Sequence, residues 1–288
     1  MSNEPFDETS LFGETGVEFA GPDDYLIDVD GDVVIPTDLC GGPWSPDAQH
    51  GSAVAAILGR AIETVETPVP MRPARVTVDL LSPVPLEPMR QVTRVVKAGK
   101  RIAVVDAELH HGNRLAARAT CLLMRDGARY PVADAPGAPP DLAPPPTEAS
   151  EPPFGGADPD DLELPGFARA MHFTRTRGTH LGGVPAAIWI GLRCRVARDE
   201  PLTPFQLAAT ASDMGSILGG FLDFREWRTI NADITMHLLR LPVGDSIGLD
   251  GEFRADPGGV GMSASAMFDT GGLFARMTSS TFIDRWGE

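Results

Sequence analysis

The chain has 288 residues, 42% of them apolar, and a formal charge of −16. That is enough material for one large core or two ordinary ones, and such acidity argues against a nucleic-acid partner, because it repels the phosphates that dominate such binding. No uncharged apolar run approaches a bilayer-spanning length, so stable membrane insertion is not expected.

From the start of the chain, Met1 to Glu8 is acidic and lacks the basic start and apolar core of a secretory signal, so the expected location is cytoplasmic. Cys40, Cys121 and Cys194 are odd in number, far apart and in no C-x-x-C pair, which speaks against a disulfide framework or a structural zinc site. A first helix is predicted from about Asp47 to Val65, rich in Ala, Ile, Leu and Val and ended by Pro68. Strands follow, separated by the turn signals Ala98-Gly99-Lys100 and His111-Gly112-Asn113. Between Met71 and Arg129 eleven Lys/Arg face five Asp/Glu. That basic stretch fits a solvated sheet face, or a place where a polyanionic small molecule docks. From Pro131 to Pro165 there are eleven prolines, eight acidic residues and no Lys or Arg, a linker composition. The expected division is residues 1–130, a linker over 131–165, and residues 166–288.

In the second half Thr203-Pro204-Phe205-Gln206 reads as a capping box opening a helix that runs to about Gly219-Gly220. Small residues at Ala208, Ala211, Gly215 and Gly219 predict room for a hydrocarbon chain beside it. The strands after it are separated by Asp256-Pro257-Gly258-Gly259 and Thr270-Gly271-Gly272.

The halves match when the second is slid back by 158 positions. Val76-Thr77-Val78-Asp79-Leu80-Leu81 falls on Ile234-Thr235-Met236-His237-Leu238-Leu239, and Leu115 to Thr120 falls on Leu273 to Thr278 with Leu, Ala, Arg and Thr coinciding. Both copies read as one long helix followed by antiparallel strands, an α+β class.

Gln49-His50-Gly51-Ser52 opening the first helix and Ala211-Ser212-Asp213-Met214 in the second resemble the acyl-CoA thioesterase-like superfamily, in its double hot-dog, type II acyl-CoA thioesterase branch. The resemblance implies a tandem hot-dog, with two antiparallel sheets each wrapped around a long central helix and joined edge to edge. It implies hydrolysis of a fatty acyl-CoA to free fatty acid and CoA, with no metal or organic cofactor. It leaves room for a homo-oligomer. The family's catalytic aspartate maps to Asp213. Its hydroxyl residue at the head of the next strand maps to Asn231, and its glutamine in the last strand to Ser279; both are departures. His50 and Gly51 are similar to the His-Gly motif that approaches the thioester carbonyl, where N–H groups at a helix start stabilise an oxyanion.

Asp213 stands among small and apolar residues, a costly place for a carboxylate without partners and a fitting one for a general base. Strict alternation places Asn231 on one face with Asp233 and Thr235. The 158-residue offset puts Ala55, Pro73 and Cys121 where the second half has Asp213, Asn231 and Ser279, so the first copy lacks the acid. No G-x-S-x-G, G-x-x-x-x-G-K-[ST], strand-linked G-x-G-x-x-G or H-E-x-x-H occurs. His110-His111 and His180 stand apart from metal partners. The rival reading is a non-hydrolytic acyl-CoA or lipid-binding protein on the same fold; a hot-dog hydratase comes third.

Overall fold

The computed structural model describes residues 18–127, 143–150, 164–179, 184–218, 222 and 226–286. His180, Gly219 and most of residues 131–165 lie outside the described residues.

In the first half, β1 (Tyr25–Asp30) and β2 (Val33–Pro36) form a hairpin before α1 (Gly51–Glu63). Next come β3 (Met71–Leu80), β4 (Met89–Lys97), β5 (Ile102–His111) and β6 (Arg114–Arg125). The second half has a short α2 (Gly166–Ala170), then β7 (Met171–Arg177), β8 (Ala186–Leu192) and β9 (Arg195–Ala197) before α3 (Pro204–Ser212). A 3-10 turn (Asp213–Leu218) leads to β10 (Trp227–Leu238), β11 (Ile247–Ala255), β12 (Val260–Asp269) and β13 (Gly272–Arg285). Strands therefore precede the helix in each half, which the sequence reading did not expect. β1 and β2 are only 6 and 4 residues long, and the apolar run Ala186–Leu192 has no period that separates strand from helix.

Among the described residues the two sheets expected, joined edge to edge, run on as one sheet of thirteen strands, in the order β7-β8-β11-β12-β13-β10-β3-β6-β5-β4-β2-β1-β9. β3 and β10 form the seam, antiparallel, with Val78 opposite Ile234, Thr77 opposite Thr235 and Val76 opposite Met236. The Thr77 and Thr235 hydroxyls lie 3.1 Å apart. Of the offset-matched residues Thr77 and Thr235 face each other, and the pairs on either side are exchanged, as a local twofold axis through the threonine pair requires. β9 crosses to the other half and pairs parallel with β1, Tyr25 against Arg195 and Ile27 against Ala197.

Both helices lie buried and run antiparallel, the start of α1 against the end of α3 and the end of α1 against the start of α3. Ser52 to Ile62 of α1 are all buried. The capping box forms as read: the Thr203 side chain accepts from Gln206 N, and the Gln206 side chain accepts from Thr203 N. The second helix is shorter than expected, because α-helical pairing stops at Ser212 after 9 residues and tightens into the 3-10 turn. Gly59 lets the helices meet: a Cβ there would stand 3.2 Å from Ala209 Cβ. Glu63, near the end of α1, accepts from Thr203 Oγ1 at 2.8 Å and Gln206 Nε2 at 2.9 Å at the start of α3. The N-caps, His50 and Thr203, are 203 − 50 = 153 positions apart, not 158. Asp213 therefore corresponds to Arg60 rather than to Ala55, and the extra five residues enter between helix and strand.

Arg60 is buried and bonds Glu200 through Nε (2.7 Å) and Nη2 (2.5 Å), while 43% of the Glu200 side chain is exposed. Removing the exposed partner strands a buried guanidinium; removing the buried partner frees a carboxylate that water can solvate. Glu200→Ala is expected to cost about 3 kcal/mol and Arg60→Met about 1 kcal/mol in chemical denaturation. Equal losses would show that the pair is not held in this arrangement.

Candidate active site

Asp213 ends α3 at the start of the 3-10 turn, 7% exposed. Its carboxylate faces the first turn of α1. Oδ2 accepts from Ser52 Oγ at 3.2 Å and lies 3.2 Å from His50 Nδ1, while Oδ1 accepts from Asn231 Nδ2 at 2.8 Å. Asn231 Nδ2 also donates to the Asp213 backbone carbonyl at 2.8 Å. Gly51 is what lets the carboxylate come so close: a Cβ there would stand 2.5 Å from Oδ1 and 2.7 Å from Oδ2. The unpaired N–H groups and dipole of a helix start favour negative charge.

His50 caps α1, its Nδ1 accepting from Ser52 N at 3.0 Å, and its ring stacks on Phe167 at 4.7 Å between centroids. Burial pushes the Asp213 pKa up, but the contacts from His50, Asn231 and Ser52 outweigh it, so the carboxyl is held below its ordinary value.

Asn231 reaches Asp213 because β10 carries a bulge between Asn231 and Asp233. The extra residue, Ala232, is exposed. Asn231 therefore pairs with buried Thr281 on the helix side of the sheet. Asp233 and Thr235 take the other side, contrary to strict alternation. A bulge at the same place in β3, between Pro73 and Arg75, repeats the feature in the first half. Asn231 Oδ1 accepts from Thr281 Oγ1 at 2.9 Å and Ser279 Oγ at 3.3 Å, and Ser279 Oγ lies 2.6 Å from Ser263 Oγ.

All five residues singled out in the sequence, His50, Gly51, Asp213, Asn231 and Ser279, come together here. Ser279 touches Asp213 only through Asn231. Three hydroxyls escaped the sequence reading. Ser52 adjoins the His-Gly pair, Thr281 shares a strand face with Ser279, and Ser263 stands opposite Ser279 in β12; these spacings were available as signals. Phe167 offered none.

The expected chain-sized space beside α3 is not found at its small residues. Ala208 and Ala211 are fully buried, and a Cβ on Gly215 would collide with Ser263 Oγ and stand 2.8 Å from Met277 Cε. These small residues let the turn press against the sheet. In the first half Arg60, Pro73 and Cys121 stand at the matching places, and burial pushes the Cys121 thiol up to about 12, far from a thiolate. Among the described residues no group of His, Cys, Asp and Glu could hold a metal ion, and no helix is long and apolar enough to cross a membrane.

The fold is that of the hot-dog proteins. A hot-dog protein from Alicyclobacillus acidocaldarius matches with a TM-score of 0.63 at 14% identity, over 90% of this chain and 95% of that one. The tesB protein of Mycobacterium avium subspecies paratuberculosis gives 0.64 at 14%, and acyl-CoA thioesterase II TesB2 from Mycobacterium marinum 0.57 at 12%, each with the same coverage. At such identities the likeness speaks for the fold. No curated protein matches the chain in sequence. The chain belongs to the acyl-CoA thioesterase family: the family's N-terminal domain matches residues 41–124 and its C-terminal domain residues 139–283. It is an acyl-CoA thioester hydrolase, and this membership favours hydrolysis over the non-hydrolytic rival.

Proposed function

We propose that the chain hydrolyses a fatty acyl-CoA to the free fatty acid and CoA, with Asp213 activating the attacking water. The observation that carries this reading is a buried, ionised carboxylate held by Ser52 from one half and Asn231 from the other, with His50 beside it. Water oxygen attacks the thioester carbonyl carbon as its proton passes to Asp213; the carbon–sulfur bond then breaks, and the departing thiolate takes that proton back as CoA thiol. Gly51 and the first turn of α1 lie where N–H groups can polarise the carbonyl oxygen. Asn231, steadied by Thr281 and Ser279, orients water and base. The same reading keeps residues 1–130 and 166–288 as the two modules, and a cytoplasmic location.

Hydrolysis across a panel of fatty acyl-CoA chain lengths, each as a pH profile of kcat/KM, tests it. A base whose pKa is depressed stays ionised as pH falls through the ordinary carboxylate range. The acid limb is therefore expected below that range. Hydrolysis of no chain length would overturn the substrate class. An acid limb near neutrality would move the base from Asp213 to a histidine.

A further inference from the structure

At the end of the sheet where the first half repeats the bulge of β10, an open depression of about 550 Å³ is rimmed by Arg72, Arg101 and Arg125 over Ile102 and Met124. The three guanidinium groups come from β3, the turn before β5 and the end of β6. The last two are tied by Arg125 N donating to Arg101 O at 3.0 Å. Asp126 is the lining carboxylate, 3.7 Å from Arg72, with both side chains well exposed. Among the described residues Arg101 and Arg125 have no ion pair. In a chain with a formal charge of −16, this is a local concentration of unshared positive charge.

The second half shows that the fold does not call for arginine here. At the strand offset of 158, Arg72, Arg101 and Arg125 fall on Ile230, Gly259 and Ile283. The cations belong to the half that has Arg60, Pro73 and Cys121 in place of the acid set. A guanidinium rim matches phosphate oxygens in fork geometry, the apolar floor takes a ring or hydrocarbon, and the volume is within the range of small-molecule sites.

We infer that this depression binds a phosphorylated small molecule of nucleotide size, at a second site separate from Asp213. Arg72 lies five residues before Thr77, and Asn231 lies four before Thr235 on the other side of the axis, so roughly 30 Å of strand separates the two places.

The test is calorimetric titration of the full chain with adenosine 3′,5′-bisphosphate, for the parent and for the Arg101→Ala/Arg125→Ala double variant. The parent is expected to bind saturably, more weakly as salt rises. The double variant should lose at least about tenfold in affinity while fatty acyl-CoA hydrolysis stays within about twofold, both residues being distant from the site. Absence of saturable binding, or equal binding by the double variant, would overturn the inference. So would a parallel loss of hydrolysis, since the site would then not be separate. The titration measures binding alone, so its result stands even where the parent hydrolyses no acyl-CoA.

Discussion

Asp213→Asn is expected to lower kcat by about 10²–10⁴-fold, the usual contribution of a general base, with KM and the fold little changed. The amide suits the pocket unusually well as a probe. Its oxygen still accepts from Asn231 Nδ2, and its NH2 turns toward Ser52 Oγ, which is able to accept. Shape and hydrogen bonding survive while the proton acceptor is lost. The substitution also removes a pH dependence. A carboxyl whose folded pKa is depressed stabilises the protein above its unfolded pKa, and that stability is lost as pH falls through the folded value. Acid unfolding of Asp213→Asn is therefore expected to be shallower than that of the parent. Single-turnover hydrolysis and acid titration of both proteins check the two parts, and an unchanged kcat would remove Asp213 from the role of base.

Gly51→Ala is the second large effect, and it acts without touching a polar group. The added methyl would fall 2.5 Å from Asp213 Oδ1 and 2.8 Å from its Cγ, closer than carbon tolerates. Neither α1 nor the short Asp213 side chain, fixed at a helix end, has much room to yield. A misplacement of about 1 Å is enough to cost on the order of 10²-fold in rate, and such a loss in kcat is expected. Stability should change less, because overpacking costs about 1–3 kcal/mol while alanine in place of glycine in a helix returns up to about 1 kcal/mol. Comparing kcat with the urea midpoint separates the two. A variant of normal kcat would show that the close approach of glycine and carboxylate is not needed.

Much of this was legible in the sequence because it is local or repeated. The capping box at Thr203 and Gln206 lies within four residues, and the apolar run of α1 declares a buried helix. The repeat was visible because both halves supply a strand to one seam, where Thr77 and Thr235 must fit the same axis. What escaped depends on geometry that periodicity does not encode. Sliding by 158 fits the strands and not the helices, since five residues enter between them, so the offset points to Ala55 where the fold sets Arg60. The bulge at Ala232 reversed the face assigned to Asn231. The contact of Ser52 with Asp213 spans 161 positions, and nothing along the chain joins them. Small residues along α3 and its turn predict space, yet at Gly215, in the 3-10 turn, smallness serves close packing against Ser263 and Met277.

The crossing of β9 to β1 bears on how the protein is made. The first half leaves the ribosome with β1 through β6 complete, but with both outer strands, β1 and β3, lacking a neighbour on one side. Their partners are Arg195–Ala197 and Trp227–Leu238, far downstream in the chain. Throughout synthesis of the intervening residues, two open edges of backbone donors and acceptors face water or a passing chaperone. The last hydrogen bonds that seal the first half are thus supplied by the second.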